Sequence, residues 1–184
     1  MYLSLVTGAT LGFGDIVPQA PWLRTAVRCR HLSDSPCSLL RSSWLLQIYP
    51  ALARRRAVAS RLHLLRDAET APRLSVTETP YTASLLDSLA RGLVKVTVDL
   101  TEYSETYYFR DSDSRSAMAA VSGYIPQLVE VGRRSSRSDV RLAADLLAGA
   151  LNDFCAVLRR YLVTMGESAQ EILAAYATDH GHKG

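Results

Sequence analysis

The sequence predicts an all-α protein, and three observations carry that prediction. Between residues 80 and 165 apolar side chains recur at three- and four-residue intervals, the spacing that gathers them on one face of a helix. Start and stop signals punctuate these stripes at Thr79-Pro80, at Asp111 to Ser114, and at Gly166 followed by Ser168-Ala169-Gln170-Glu171. The connections between stripes are short and polar, so the helices are expected to close as an antiparallel bundle over residues 80–180.

Taken in order, residues 44–66 run from Trp44 and Tyr49 into Arg54, Arg55, Arg56, Arg61 and Arg66. Interfacial aromatics followed by clustered arginines read either as a membrane exit with lipid near Trp44–Arg56, or as an amphipathic helix with a solvated basic face. Pro50 is expected to kink or start that helix. Residues 67–79 read as a polar linker. Thr79 offers an N-cap with Pro80 at the first helical position, and Leu85, Leu89, Leu93, Val96, Leu100, Tyr103 and Tyr107 form one stripe running to about Phe109. Tyr103, Tyr107, Tyr108 and Phe109 are expected to pack one end of the core. Asp111 to Ser114 can cap a second helix carrying Met118, Val121, Ile125 and Leu128, weakened at Gly123 and Pro126. The cleanest period follows, Val140, Ala144, Leu147, Leu151, Phe154, Leu158, Tyr161 and Met165, ended by Gly166. Ser168 with Glu171 makes a capping box for a fourth helix to about Ala177, and the tail DHGHKG is expected to fray. His63, His180 and His182 are read as solvated.

The run Thr7-Gly8-Ala9-Thr10-Leu11-Gly12-Phe13-Gly14-Asp15 supports two incompatible readings. One is a strand entering a glycine-rich turn that cradles a dinucleotide pyrophosphate, similar to the T-G-x-x-x-G-x-G turn of short-chain dehydrogenases. That reading needs a helix after the turn, where Pro18 and Pro21 stand, and a Tyr-x-x-x-Lys pair, which neither Lys95 nor Lys183 completes. The other is an ion-selectivity filter, with consecutive carbonyls facing a pore axis and glycines supplying backbone angles that residues with a Cβ resist. With the flanking residues included, YLSLVTGATLGFGDIVPQAPWLR resembles the pore region of two-transmembrane potassium channels. Thr7 and Thr10 match the family's paired threonines, Leu11 to Asp15 its filter, and Pro18 the turn that follows.

The resemblance covers about residues 2–24, within a pore-helix end and filter segment spanning 1–24, and implies a homotetramer, with Thr10, Leu11, Gly12, Phe13, Gly14 and Asp15 around potassium as the permeant ion. It further implies a membrane location, with the carboxy-terminal helical domain cytoplasmic. Two departures argue against conduction by the chain as written. Only Met1 to Ala9 precede Thr10, too few for an outer helix and a pore helix. Residues 22–43 occupy the place of the inner helix, within a disrupted region that with its basic juxtamembrane helix spans 25–66, and they are interrupted by Arg24, Arg28, Arg30, His31, Asp34, Pro36 and Arg41, whereas spanning takes about 20 apolar residues. With permitted codons, residues 28–43 read two bases later give the uncharged string VPALVGFALLTAAV, so a frame-shifted inner helix is one origin for the patch.

The net charge of +3 conceals an asymmetry. Residues 1–66 hold nine Arg and two Asp, 9 − 2 = +7, and the remainder 12 Lys plus Arg against 16 Asp plus Glu, 12 − 16 = −4. A basic amino-terminal third suits a membrane-surface segment better than a nucleic-acid interface, so no nucleic-acid partner is expected. Three cysteines, Cys29, Cys37 and Cys155, do not make a disulfide scaffold, and Cys29, His31 and Cys37 lack the fourth ligand of a usual zinc site. No nucleophile with a base and no paired carboxylates stand out. The expectation is a channel subunit without enzymatic activity or cofactor, the alternative a soluble helical interaction domain.

Overall fold

A computed structural model describes residues 46–76, 79–111, 113–162, 166 and 168–182. The chain divides into two compact units, Met1–Tyr49 and Pro50–Gly184. Of the first, only residues 46–49 are described, and they are helical. The filter residues Thr10, Leu11, Gly12, Phe13, Gly14 and Asp15, the disputed segment 28–43, and Trp44 all lie outside the described residues. So do Cys29, His31 and Cys37.

Helix α1 covers residues 46–67, and α2 is Thr70–Val76. Helix α3 is Tyr81–Glu102, followed by a 3-10 turn at Ser104–Tyr108. Then come α4 at Met118–Val121, a 3-10 turn at Ser122–Tyr124, α5 at Ile125–Arg133, α6 at Ser138–Leu158 and α7 at Ala169–Asp179. Among the described residues there is no strand, and the fold is all-α.

The core forms where the predicted stripes meet. Leu86, Leu93, Leu128, Leu147, Phe154, Leu158 and Ile172 are all at most 1% exposed and belong to one cluster. Full burial of each such side chain contributes about 1.5–3 kcal/mol, which is what holds helices that would be marginal alone. Ala59 and Leu62 of α1 are fully buried in the same cluster, as is Ala71 of α2. The expected boundary near residue 80 is therefore corrected: the stretch read as a linker contains a helix, and α1 shares the core. Composition hid this, because Thr70-Ala71-Pro72-Arg73 looks polar while Ala71 is buried and donates its N–H to the Tyr124 hydroxyl at 2.8 Å.

Contacts fix the directions of the helices. Arg54 reaches Asp99 and Arg61 reaches Ser88, so α1 runs against α3. Helix α5 runs against α6, and Gly132 is the close-approach point: a Cβ there would stand 2.7 Å from Ala144 Cβ and 2.8 Å from Leu86 Cδ1. Leu86 and Ala144 thus lie together at one end, while the Tyr161 hydroxyl donates to the Leu100 carbonyl at 3.3 Å at the other. Helices α3 and α6 run the same way, since residues 103–133 carry the chain back between them.

Several boundaries move for identifiable reasons. Pro80, not Thr79, is the cap position of α3, and Thr79 instead places its hydroxyl 3.1 Å from that of Thr82. α3 stops at Glu102, where Tyr103 leaves the helical region at φ −121° and ψ 72° and Thr106 turns its hydroxyl onto the Tyr103 carbonyl at 2.6 Å. The predicted second helix is split, with Pro126 in the first turn of α5, where a missing N–H costs nothing. α6 ends at Leu158 rather than near Met165, followed by a turn through Tyr161. The capping box opens α7 as expected, Glu171 N–H donating to Ser168 Oγ at 3.2 Å and Ser168 N–H to Glu171 Oε2 at 3.3 Å.

Candidate functional site

Three consecutive arginines on α1 organise the main polar feature of the unit. Successive residues of a helix project about 100° apart, so Arg54, Arg55 and Arg56 leave α1 in three different directions. Arg54 forms a two-pronged pair with Asp99 of α3, Nε to Oδ2 at 2.7 Å and Nη2 to Oδ1 at 2.6 Å, which raises its pKa above the ordinary arginine value. Arg55, 6% exposed, turns inward and donates to the Thr106 carbonyl at 2.6 Å, the Phe109 carbonyl at 2.8 Å and Asp111 Oδ2 at 2.9 Å. Arg56 reaches the other oxygen of Asp111 at 2.7 Å from a half-exposed position.

Asp111 was expected near a helix cap, but its side chain, 5% exposed, is clamped between two guanidiniums instead. Asp113 makes the local turn, accepting the Arg115 N–H at 3.0 Å. The arginine triplet is thus largely consumed within the chain, not spread as a free basic face. Among the described residues, Arg55 Nε is buried without a hydrogen-bond partner, as is Ser122 Oγ.

An aromatic group continues this clasp to α7. The Tyr107 hydroxyl donates to Asp179 Oδ2 at 2.6 Å, and its ring stacks on Tyr161 with centroids 4.5 Å apart. His180 stands edge-on to Tyr107 at 5.1 Å and to Tyr176 at 4.6 Å, and Tyr176 meets Phe154 at 6.2 Å. His180 is only 9% exposed, which corrects the expectation that it is solvated. The cause is the helix end: Gly181 has φ of +78°, its N–H bonds the Thr178 carbonyl, and His182 N–H reaches the Ala177 carbonyl at 2.8 Å. This reversal folds His180 onto the aromatic group. The glycine after a helix in DHGH was the signal available in the sequence. The expected aromatic end of the core is only partly realised, since Tyr107 is buried while Tyr108 and Phe109 face outward. His63 sits 3.4 Å from Asp67 with its side chain mostly covered.

Burial pushes the Tyr176 phenol up to about 12, and burial with the Asp179 hydrogen bond pushes Tyr107 higher still. Burial lowers the His180 pKa, and the Arg55 charge adds to that. The Cys155 thiol is raised by burial to about 11. These shifts favour the uncharged forms of Tyr107, Tyr176, His180 and Cys155 at neutral pH. The hydrogen bonds of Arg55 and Tyr107 make the clasp that holds α1, the 103–111 connection and α7 together. Among the described residues no three His, Cys, Asp or Glu side chains converge as metal ligands. Nor is any described helix long and apolar enough to cross a membrane.

A separate feature lies on the outer side of the α3–α6 pair. An open groove of about 330 Å³ is lined by Asp87, Ala90, Arg91, Val94 and Lys95 of α3 and Leu146 of α6. Comparison with known proteins gives no relative: no family model, curated protein or solved structure matches the chain.

Proposed function

We propose that this chain is a potassium-channel subunit in which Pro50–Gly184 serves as a non-enzymatic helical module joined to the pore segment through α1. The contiguous string Thr10-Leu11-Gly12-Phe13-Gly14-Asp15, with Thr7 before it and Pro18 after it, carries the reading. The clasp supports the assignment of a mechanical rather than chemical role to the second unit. Arg55 and Asp111 tie α1 to the 103–111 connection, and the adjoining Tyr107–Asp179 bond ties that connection to α7, so displacement of α1 would load the whole bundle.

The decisive experiment has two stages. Reading the coding DNA two bases later across codons 28–43 should give an uncharged, apolar segment. Restoring that frame should yield potassium-selective flux in liposomes that Gly12→Ala abolishes, while the chain as written leaves them sealed. Charges or stops in the shifted frame remove the inner helix from the proposal. Flux that ignores Gly12→Ala removes the filter.

A second reading, an interaction domain without transport, is favoured by one observation. Val94 and Val98 are each 47% exposed, Leu142 62% and Leu146 52%, an apolar surface unusual on helices whose other faces build the core.

A further inference from the structure

We infer that the α3–α6 face binds a second copy of this chain, with the two-fold axis parallel to the two helices. The inference rests on the second reading above and names its partner. It does not depend on transport, so sealed liposomes leave it standing, and flux through the frame-restored chain tests the filter reading separately.

The face is defined by two stripes. On α3, Arg91, Val94 and Val98 follow at three- and four-residue spacing, with Lys95 beside them in the groove. On α6, Leu142, Leu146, Gly149 and Asp153 follow at spacings of four, three and four, and all are exposed. Leu146 shares the groove with Ala90 and Val94, which fixes the level of one helix against the other. Seven residues further along α6, Asp153 lies within about one turn of the level of Lys95.

Because α3 and α6 run in the same direction, a two-fold axis parallel to them sets α3 of one copy against α6 of the other without reversing either. Each Val94 then meets the second copy's Leu146, twice over by symmetry. The same operation brings Lys95 opposite the second copy's Asp153. Neither Lys95 nor Asp153 is in an ion pair among the described residues, whereas Arg91 is held by Asp87 at 2.6 Å and Asp145 by Arg133 at 2.8 Å. The unmatched charges are thus of opposite sign and on opposite edges of one apolar patch. This is the complementarity that fixes register between self-associating surfaces. A perpendicular axis would instead set α3 on α3, facing like charges along the basic edge.

The test is sedimentation equilibrium of the full chain in mild detergent, over a concentration series reaching about 1 mM so that a weak pair is populated. The wild-type chain should show a reversible dimer. Leu146→Glu, at a half-exposed site where the fold tolerates charge, should raise the dissociation constant by at least about tenfold, with circular dichroism unchanged. Lys95→Glu and Asp153→Lys should each weaken the dimer, and the double variant should restore it. A chain that stays monomeric, or a dimer insensitive to Leu146→Glu, overturns the inference. A dimer that both charge reversals weaken but their combination does not restore overturns the α3-on-α6 arrangement.

Discussion

Removing the Asp111 carboxylate tests the clasp most directly. Asp111→Ala leaves the Arg55 guanidinium, whose side chain is 8% exposed, with two backbone carbonyls and no counter-charge. Breaking a buried pair from one side costs about 3–5 kcal/mol, because the surviving charge stays desolvated. Arg56→Ala deletes the other partner of the same carboxylate but from a half-exposed position, and should cost under about 1 kcal/mol. With a urea m-value of about 2 kcal/mol/M, Asp111→Ala should lower the unfolding midpoint by about 2 M and Arg56→Ala by less than about 0.5 M. Urea titration followed by circular dichroism at the helical band reads both. In a double-mutant cycle, Arg55→Met and Asp111→Ala should be less than additive by at least about 1 kcal/mol, since either removes the shared bond. A cost for Asp111→Ala no larger than that of Arg56→Ala, or strict additivity in the cycle, would refute the assignment of Arg55 and Asp111 as a buried pair.

Three further outcomes are expected. Gly132→Ala places a Cβ 2.7 Å from Ala144 Cβ and 2.8 Å from Leu86 Cδ1, so α5 must move away from α3 and α6. A loss of about 1–3 kcal/mol in the same urea assay is expected despite the better helix propensity of alanine. His180 has a folded pKa below its ordinary value of 6.5, so the unfolded chain binds the proton first. Its contribution to stability is present above that value and is lost as pH falls through 6.5 towards the folded pKa. His180→Phe should remove that part of the slope in thermal melts between pH 7.5 and 5. Finally, Cys155, buried with its thiol raised to about 11, should escape alkylation in the native chain and react after denaturation, read by peptide mass spectrometry.

The helices were legible because their signals are local. Leu85, Leu89, Leu93, Val96 and Leu100 are all buried on α3, and Val140, Ala144, Leu147, Leu151, Phe154 and Leu158 on α6, as the periodicity required. The capping box at Ser168 needed only residues three apart. The clasp was not legible, because no local rule states which of three adjacent arginines turns inward. Arg55 and Asp111 are 56 residues apart, and Tyr107 and Asp179 are 72 apart.

What the sequence determined by itself was the all-α class and the apolar faces of the long helices. Those depend on side-chain period, caps and glycine placement, all properties of neighbouring residues. Tertiary structure alone decided that α1 and α2 join the bundle, that α3 and α6 run the same way, and that His180 is covered. Each turns on a meeting between distant segments: Leu62 with the core, Gly132 with Leu86 and Ala144, His180 with Tyr107. Periodicity says which face of a helix seeks burial, but only packing says against what.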